Sequence, residues 1–128
     1  MSLSVLIYST DDIRGRIIQK SLQIDDVETV LCSTHLQIKE AVNRTAPDII
    51  IFDTKRNFWD ELNFLKTLSR KLPETIKIIL SDSQNIPFLK TICIKNDLCA
   101  PDPLDPEFFL PTVKDMLDLK KKVQSASA

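Results

Sequence analysis

The chain has 128 residues, of which 43% are hydrophobic and 27% charged, and its 17 basic and 18 acidic residues leave a net charge of −1. This length and composition predict one soluble globular domain. The balanced charge gives no sign of a basic surface for nucleic acid or an anionic membrane, so neither is expected as a direct partner. No run approaches the ~18 apolar residues of a membrane span, and no signal-peptide pattern opens the chain, so we expect a cytoplasmic protein.

Residue counts argue against two kinds of site. The chain contains one glycine, Gly15, which excludes a phosphate-binding loop of the usual glycine-rich kind. Its three cysteines show no C-x-x-C spacing and there is a single histidine, so reduced thiols are expected rather than a zinc site. That histidine, His35, begins a predicted helix without an evident partner, and we assign it no catalytic role.

Short apolar runs alternate with amphipathic stretches five times along the chain. In order, the pattern predicts a strand at 5–8, a helix at 11–22, a strand at 27–32, a helix at 34–44, a strand at 47–53, a helix at 58–72, a strand at 76–80, a helix at 86–94, a short strand at 98–100 and a last helix that begins at 105 or near 110. We expect the domain to span residues 1–122 and residues 123–128 to form a frayed tail.

Three predicted helices carry more specific signals. Thr34 with Gln37 three residues later forms a capping-box pattern at the start of the second helix. In the first helix we assign one apolar face to Ile13, Ile17, Ile18 and Leu22. In the third, the apolar residues in helical register are Phe58, Leu62, Leu65, Leu68 and Leu72, and Pro73 ends the helix.

The alternation of strands and helices with short connections predicts an α/β fold with right-handed crossovers and a parallel sheet covered on both faces. Five such units fit the single-domain, flavodoxin-like (βα)5 doubly wound sandwich, with strand order 2-1-3-4-5. This order places the ends of the first and third strands side by side. Asp53 ends the third strand, so its carboxylate is expected at the sheet edge where ligands of such folds bind, facing the turn at residues 8–12. In the alternative interpretation, Asp53 merely ends the strand.

Three motifs carry a family resemblance over nearly the whole chain: P-D-I-I-I-F-D at 47–53, S-D at 81–82 and D-P-L-D-P-E-F-F at 102–109. Together they resemble a bacterial response-regulator receiver domain (CheY-like). The resemblance implies that Asp53 holds the position of the phosphoacceptor, which takes a phosphoryl group from a histidine kinase, and that Ser81 holds the position of the switch hydroxyl. In that family two acidic residues after the first strand bind magnesium, and a lysine before a late proline holds the phosphate.

The chain departs from this family pattern at several positions. The acidic pair aligns with Ser9 and Thr10, and the lysine aligns with Asp102. The proline and glycine usual after the acceptor align with Asn57 and Glu61. Hydroxyl groups are poor substitutes for carboxylates as magnesium ligands. A carboxylate at the lysine position repels a phosphoryl group, by about 4 kcal/mol at ~4 Å and an effective dielectric of ~20.

Other residues could supply the missing charges. Asp11 or Asp12 could replace the acidic pair if the turn shifts by one residue, although acids are also favoured in the first turn of any helix. Lys55 or Arg56, just after the third strand, could replace the lysine, although a solvated loop explains both as well.

These departures lead to three hypotheses. The leading one is an atypical receiver or pseudo-receiver, a signalling module of two-component (phosphorelay) signal transduction. It acts by protein–protein interaction with a histidine kinase, an output domain or a second copy of itself, and it needs no cofactor and is not an enzyme. The alternative is a working atypical receiver that uses Mg²⁺, with Asp53 as phosphoacceptor and Ser81 as switch. The third is a small-molecule-binding or enzymatic domain on the same fold.

Overall fold

The computed structural model describes residues 3–23, 27–54, 58–81, 83–85, 87–88, 97–100 and 115. Its elements are β1 (Leu3–Tyr8), α1 (Asp12–Ser21), β2 (Val27–Cys32), α2 (His35–Arg44), β3 (Ile49–Asp53), α3 (Phe58–Lys71), β4 (Ile76–Leu80), a 3-10 turn at Ser83–Asn85, and β5 (Asp97–Ala100). The predicted last helix, the tail at 123–128 and most of the predicted helix at 86–94 lie outside the described residues. In the part of the chain described, no helix is long and apolar enough to cross a membrane.

The strands form one parallel sheet in the order β2-β1-β3-β4-β5, which confirms the predicted topology. Strand β3 lies at its centre between β1 and β4. Its four apolar residues, Ile49 to Phe52, are completely buried. A central parallel strand has helices over both faces, which explains why the sequence of β3 is a continuous apolar run rather than an alternating one.

Side chains of β3 alternate between two apolar cores. Ile49 and Ile51 lie in the core on the α1 side, together with Ile18 of that helix. Ile50 and Phe52 lie in the opposite core, which contains buried apolar residues of α2 and α3 and the leucine that follows α3: Ile38, Leu62, Leu65, Leu68 and Leu72. The predicted apolar face of the third helix is therefore confirmed, with Phe58 packed at its margin.

The apolar face assigned to α1 is correct for Ile18 and Leu22 but wrong for Ile13 and Ile17, which are 73% and 45% exposed. The buried face instead follows positions 14, 18 and 22, with Arg14 at its first turn. One residue corresponds to about 100° of helix rotation, so the buried face is rotated away from Ile13 and toward Arg14.

Helix α2 starts as its capping pattern predicts. The Thr34 hydroxyl accepts a hydrogen bond from the Gln37 amide at 3.2 Å. The Gln37 side-chain oxygen accepts one from the Ser33 amide at 2.7 Å, one residue before the cap. The Thr34 hydroxyl therefore satisfies one backbone donor that the first helical turn leaves without a helical partner, and the Gln37 side chain satisfies the donor of the residue before the cap.

Leu65→Ala is expected to lower the free energy of unfolding by about 2–5 kcal/mol, because Leu65 is 3% exposed and its removal leaves a cavity between α3 and the sheet. Leu36→Ala is the matched control on α2, because Leu36 is 66% exposed, and its effect should stay within about 0.5 kcal/mol. Urea unfolding followed by the fluorescence of the single tryptophan, Trp59, measures both. Equal losses for the two variants would contradict this packing.

Candidate functional site

Asp53 lies where the fold prediction places it, at the carboxyl end of β3. Its backbone pairs with Leu80 at the end of β4, and its side chain is 4% exposed. The next residue, Thr54, fixes this end of the sheet: its amide and its hydroxyl both donate to the Leu80 carbonyl oxygen, at 2.9 and 2.8 Å. The carboxylate is thus buried at the end of two hydrogen-bonded strands, a position that requires a partner for its charge.

Arg14 provides that partner. Its Nε donates to Asp53 Oδ2 at 2.9 Å, and its Nη2 lies 3.4 Å from Asp53 Oδ1. Both side chains are buried, with 8% and 4% of their surfaces exposed. The guanidinium thus faces both carboxylate oxygens in the planar, two-point geometry that arginine forms with carboxylates. Sequence analysis missed Arg14, since it assigned the buried face of α1 to neighbouring isoleucines.

Ser9, at one of the two acidic-pair positions, also contacts the carboxylate. Its hydroxyl donates a hydrogen bond to Asp53 Oδ2 at 2.9 Å, and the residue is 1% exposed. The Ser9 oxygen also accepts a hydrogen bond from the Asp11 amide at 3.2 Å. Thr10, at the other position, is exposed.

Asp11 and Asp12, the suggested substitutes for the acidic pair, lie at the start of α1. Asp11 is the N-cap: its Oδ1 accepts hydrogen bonds from the amides of Ile13 and Arg14, at 3.1 and 3.2 Å. Asp12 is exposed and forms a surface ion pair with Arg16 at 3.1 Å. By capping the helix, Asp11 fixes the turn that carries Arg14 over the sheet edge.

Ser81 directly follows β4 and is 2% exposed. Its hydroxyl oxygen accepts a hydrogen bond from Asn85 Nδ2 at 3.3 Å. Since β3 and β4 end side by side, the fold brings Ser81 and Asp53 to the same edge of the sheet. Asp102, Lys55 and Arg56 lie outside the described residues.

A second buried carboxylate, Glu61 on α3, belongs to the same edge. It is 4% exposed, and its Oε2 lies 3.1 Å from Nε2 of His35. Tyr8, at the end of β1, lies close enough to the same carboxylate for Glu61 to act on its phenol. Sequence analysis found no partner for His35, because the two residues are 26 positions apart in the chain.

The surroundings of Tyr8 raise the pKa of its phenol well above the ordinary value. Burial is the main cause, since it disfavours the charged phenolate. The hydrogen bond to Glu61, the charge of Glu61 and the charge of Asp53 add to it, in that order. Both buried carboxylates therefore raise the pKa of Tyr8.

Solved structures of the same architecture cover the whole chain. The chain is similar to the receiver domain of AraT, a response regulator from Geobacillus stearothermophilus, with 22% identity, full coverage of both chains and a TM-score of 0.71. It is similar to a two-component transcriptional regulator, AraC, from Clostridium phytofermentans, with 14% identity, 98% and 99% coverage and a TM-score of 0.77. NtrX from Brucella abortus, in complex with ATP, matches at 18% identity and TM-score 0.79 over 99% of this chain and 29% of its own length.

The chain has the fold of a response-regulator receiver domain. No protein-family model and no curated protein sequence matches it. In this receiver fold, the switch point between β1 and β3 is the predicted position of the phosphoacceptor. Here that point holds a carboxylate paired with an arginine and a serine, and no group of three or more histidine, cysteine or acidic residues in the described part of the chain could hold a metal ion.

Arg14→Met is expected to lower the free energy of unfolding by about 3–5 kcal/mol, because it removes the guanidinium that faces both oxygens of the buried Asp53 carboxylate. The matched control is Arg16→Met: it removes an arginine from the same helix, but one in an exposed ion pair, and should change stability by at most about 1 kcal/mol. Combining Arg14→Met with Asp53→Leu should restore much of the loss, since an apolar pair replaces the buried ion pair. Urea unfolding of the variants measures the coupling, and similar losses for both arginines would refute it.

Tyr8 makes stability depend on pH at the alkaline end. A tyrosine in the unfolded chain ionises near pH ~10, whereas Tyr8 keeps its proton to higher pH in the folded chain. The raised pKa of Tyr8 therefore stabilises the folded state in full below pH ~10, and this stabilisation is lost as the pH rises further. Since Tyr8 is the only tyrosine, tyrosinate absorbance follows it directly. Glu61→Gln should lower the pKa of Tyr8, because it removes a negative charge near the phenol. Tyr8→Phe should abolish the part of alkaline unfolding that is due to this ionisation. Ionisation of Tyr8 in the folded protein near pH ~10 would contradict the prediction.

Proposed function

We propose that this chain is a receiver-like signalling module of two-component signal transduction that acts by contact with other proteins, without magnesium-dependent phosphorylation of Asp53. Two findings support the proposal: the receiver fold and the pairing of Asp53 with Arg14 inside it. The ion pair carries most of the weight, since a fold by itself does not determine function.

The chemistry of phosphoryl transfer explains why this pair matters. A carboxylate oxygen must attack the phosphorus atom with a free lone pair while positive charge stabilises the transferring oxygens. Here Arg14 faces both oxygens of Asp53 and hydrogen-bonds Oδ2 at 2.9 Å. Hydrogen bonds to charged groups contribute about 1.5–3 kcal/mol each. Releasing an oxygen for attack therefore raises the barrier by an amount that corresponds to roughly a tenfold to hundredfold lower rate.

Magnesium, which the family resemblance implies for this edge, does not suit the described residues. Mg²⁺ requires oxygen ligands in a tight octahedral arrangement and usually takes carboxylates, phosphate and water. At this edge Ser9 replaces an acid, and the oxygens of Asp53 face a guanidinium. A cation approaching Asp53 would meet the positive charge of Arg14 at close range, and the two charges repel. We infer that Arg14 takes the role of counterion that a metal would otherwise have.

The partner of such a module is a protein. The similar solved structures include proteins named as a response regulator and a two-component transcriptional regulator. By analogy, we propose a histidine kinase, an output domain or a second copy of this chain as the partner. The balanced charge of the chain supports recognition by shape and local contacts rather than by a strong overall field.

One observation favours the alternative of a working atypical receiver. An arginine is well suited to bind phosphoryl oxygens in two-point geometry, and Arg14 already lies at the acceptor. In this alternative, Arg14 releases Asp53, holds the incoming phosphoryl group, and Ser81 acts as the switch hydroxyl. The two functions differ in whether Asp53 of the unmodified chain is labelled, and the alternative also requires Arg14 for that labelling.

Intact-protein mass after incubation with acetyl phosphate and Mg²⁺ tests the proposal. We expect no gain of a phosphoryl group in the unmodified chain, in Asp53→Ala or in the control Arg16→Met, while a conventional receiver with the acidic pair and the lysine is labelled in parallel. A stoichiometric gain that disappears in Asp53→Ala and in Arg14→Met would establish the alternative. A gain that disappears in Asp53→Ala but persists in Arg14→Met would equally refute the proposal and would assign Arg14 no part in transfer.

A further inference from the structure

The side of α3 that faces away from the sheet carries a row of exposed side chains. Trp59, Asn63, Lys66 and Arg70 are all exposed, whereas the leucines of the same helix are buried against the sheet. One residue corresponds to about 100° of helix rotation, so these four positions lie within about 60° of one another, and Trp59 and Arg70 are about 16 Å apart along the axis. We call this row of four residues the outer face of α3.

An exposed tryptophan begins the outer face. Trp59 is 63% exposed, although tryptophan is highly buried on average. Its ring lies 5.2 Å from that of Phe58 and 5.3 Å from that of Phe88, with angles of 77° and 64° between the planes. Phe88 is itself 41% exposed. These edge-to-face contacts hold the indole in place, so little side-chain entropy is lost when a partner covers it.

The other end of the outer face is cationic. Lys66 and Arg70 lie about one helical turn apart, and neither forms an ion pair with a residue in the part of the chain that the structure describes. The last turn of a helix favours cations, which accounts for Arg70 and Lys71 but not for Lys66. The exposed acid of this helix, Asp60, lies about 100° from Trp59 around the axis and is therefore not part of the row.

We propose that the outer face of α3 is a docking surface for an acidic amphipathic helix of a partner protein. An apolar side chain of that helix packs on Trp59 and Phe88, and its carboxylates pair with Lys66 and Arg70. Since both helices rise by about 1.5 Å a residue, the carboxylates lie about seven and eleven positions from the apolar anchor in the partner sequence. Tryptophan and arginine are also the residue types that most often dominate the binding energy of interfaces.

Charge complementarity favours this partner over a second copy of the chain. A copy related by a two-fold axis would bring another Lys66 and another Arg70 to the same interface, where like charges repel. An acidic helix instead supplies the opposite charge at the cationic end and an apolar contact at the aromatic end. The proposal rests on the proposed function in taking a protein as the partner, and it requires no phosphoryl group.

Selection from a displayed library of helical peptides of about 18 residues, with the outward positions randomised, tests this partner chemistry on the full chain. We expect the selected peptides to combine an apolar or aromatic residue with acidic residues about two and three turns away. Because Trp59 is the only tryptophan of the chain, a tryptophan-free synthetic peptide of selected sequence should change its fluorescence on binding. Selected peptides without acidic residues, or the absence of any selected peptide, would overturn the proposal.

Variants of exposed residues locate the contact, with calorimetry of the selected peptide as the measurement. Lys66→Glu should weaken binding about tenfold, because an attraction becomes a repulsion. Lys20→Glu is the matched control: it changes the net charge equally on α1, which packs on the opposite face of the sheet, and should alter binding by less than about twofold. Trp59→Ser should weaken binding by about thirtyfold or more, as for a central anchor. Equal effects of the two lysine variants would refute the docking surface.

Sedimentation of the chain alone tests the second copy as the occupant. We expect no dimer that depends on Trp59. A dimer that Trp59→Ser dissociates would assign the outer face of α3 to self-association and overturn the acidic partner. None of these measurements uses a phosphoryl donor, so labelling of Asp53 would refute the proposed function without changing them, and failure of the peptides to bind would leave the labelling result as it stands.

Discussion

The buried ion pair between Arg14 and Asp53 is the interaction on which the rest of the site depends. It requires α1 to lie with its first turn directly over the ends of β1 and β3, and the N-cap Asp11 and the hydroxyl of Ser9 both support that position. A buried ion pair is not in itself a large source of stability, because the desolvation of both charges offsets most of their attraction. Its effect is to fix which groups can approach Asp53. Any ligand that approaches this edge of the sheet meets the Asp53 carboxylate already paired with Arg14.

The edge contains two buried carboxylates with different kinds of partner. Asp53 faces the guanidinium of Arg14, whereas Glu61 faces the imidazole of His35. The charges of both carboxylates raise the pKa of Tyr8. The site thus combines a two-point arginine contact on the α1 side with a histidine contact that joins α2 to α3.

The sequence predicted the buried residues where those residues are hydrophobic, and it failed where buried residues are charged. The alternation of strands and helices predicted the strand order, the apolar run of β3 predicted the position of Asp53, and the leucine register predicted α3. The buried charged residues could not be found in this way, because arginine and glutamate are usually exposed. In α1 the isoleucines misled the assignment of the face, and the true signal was only that Arg14 lies one helical turn before Ile18. The contact of Glu61 with His35 had no local signal at all, since it exists only once α2 and α3 lie side by side on the sheet.

The single glycine of the chain has its role in this same region. Gly15 follows Arg14 on the buried face of α1, and a side-chain carbon there would lie 2.8 Å from a terminal methyl of Leu31 and 3.5 Å from Cβ of Ser9. The absence of a side chain, rather than an unusual backbone conformation, is what this position requires, and it allows α1 to pack closely against β1 and β2. A larger residue at position 15 would therefore meet the end of the half-buried Leu31 side chain, on the outer strand, before it met Ser9 beside Asp53.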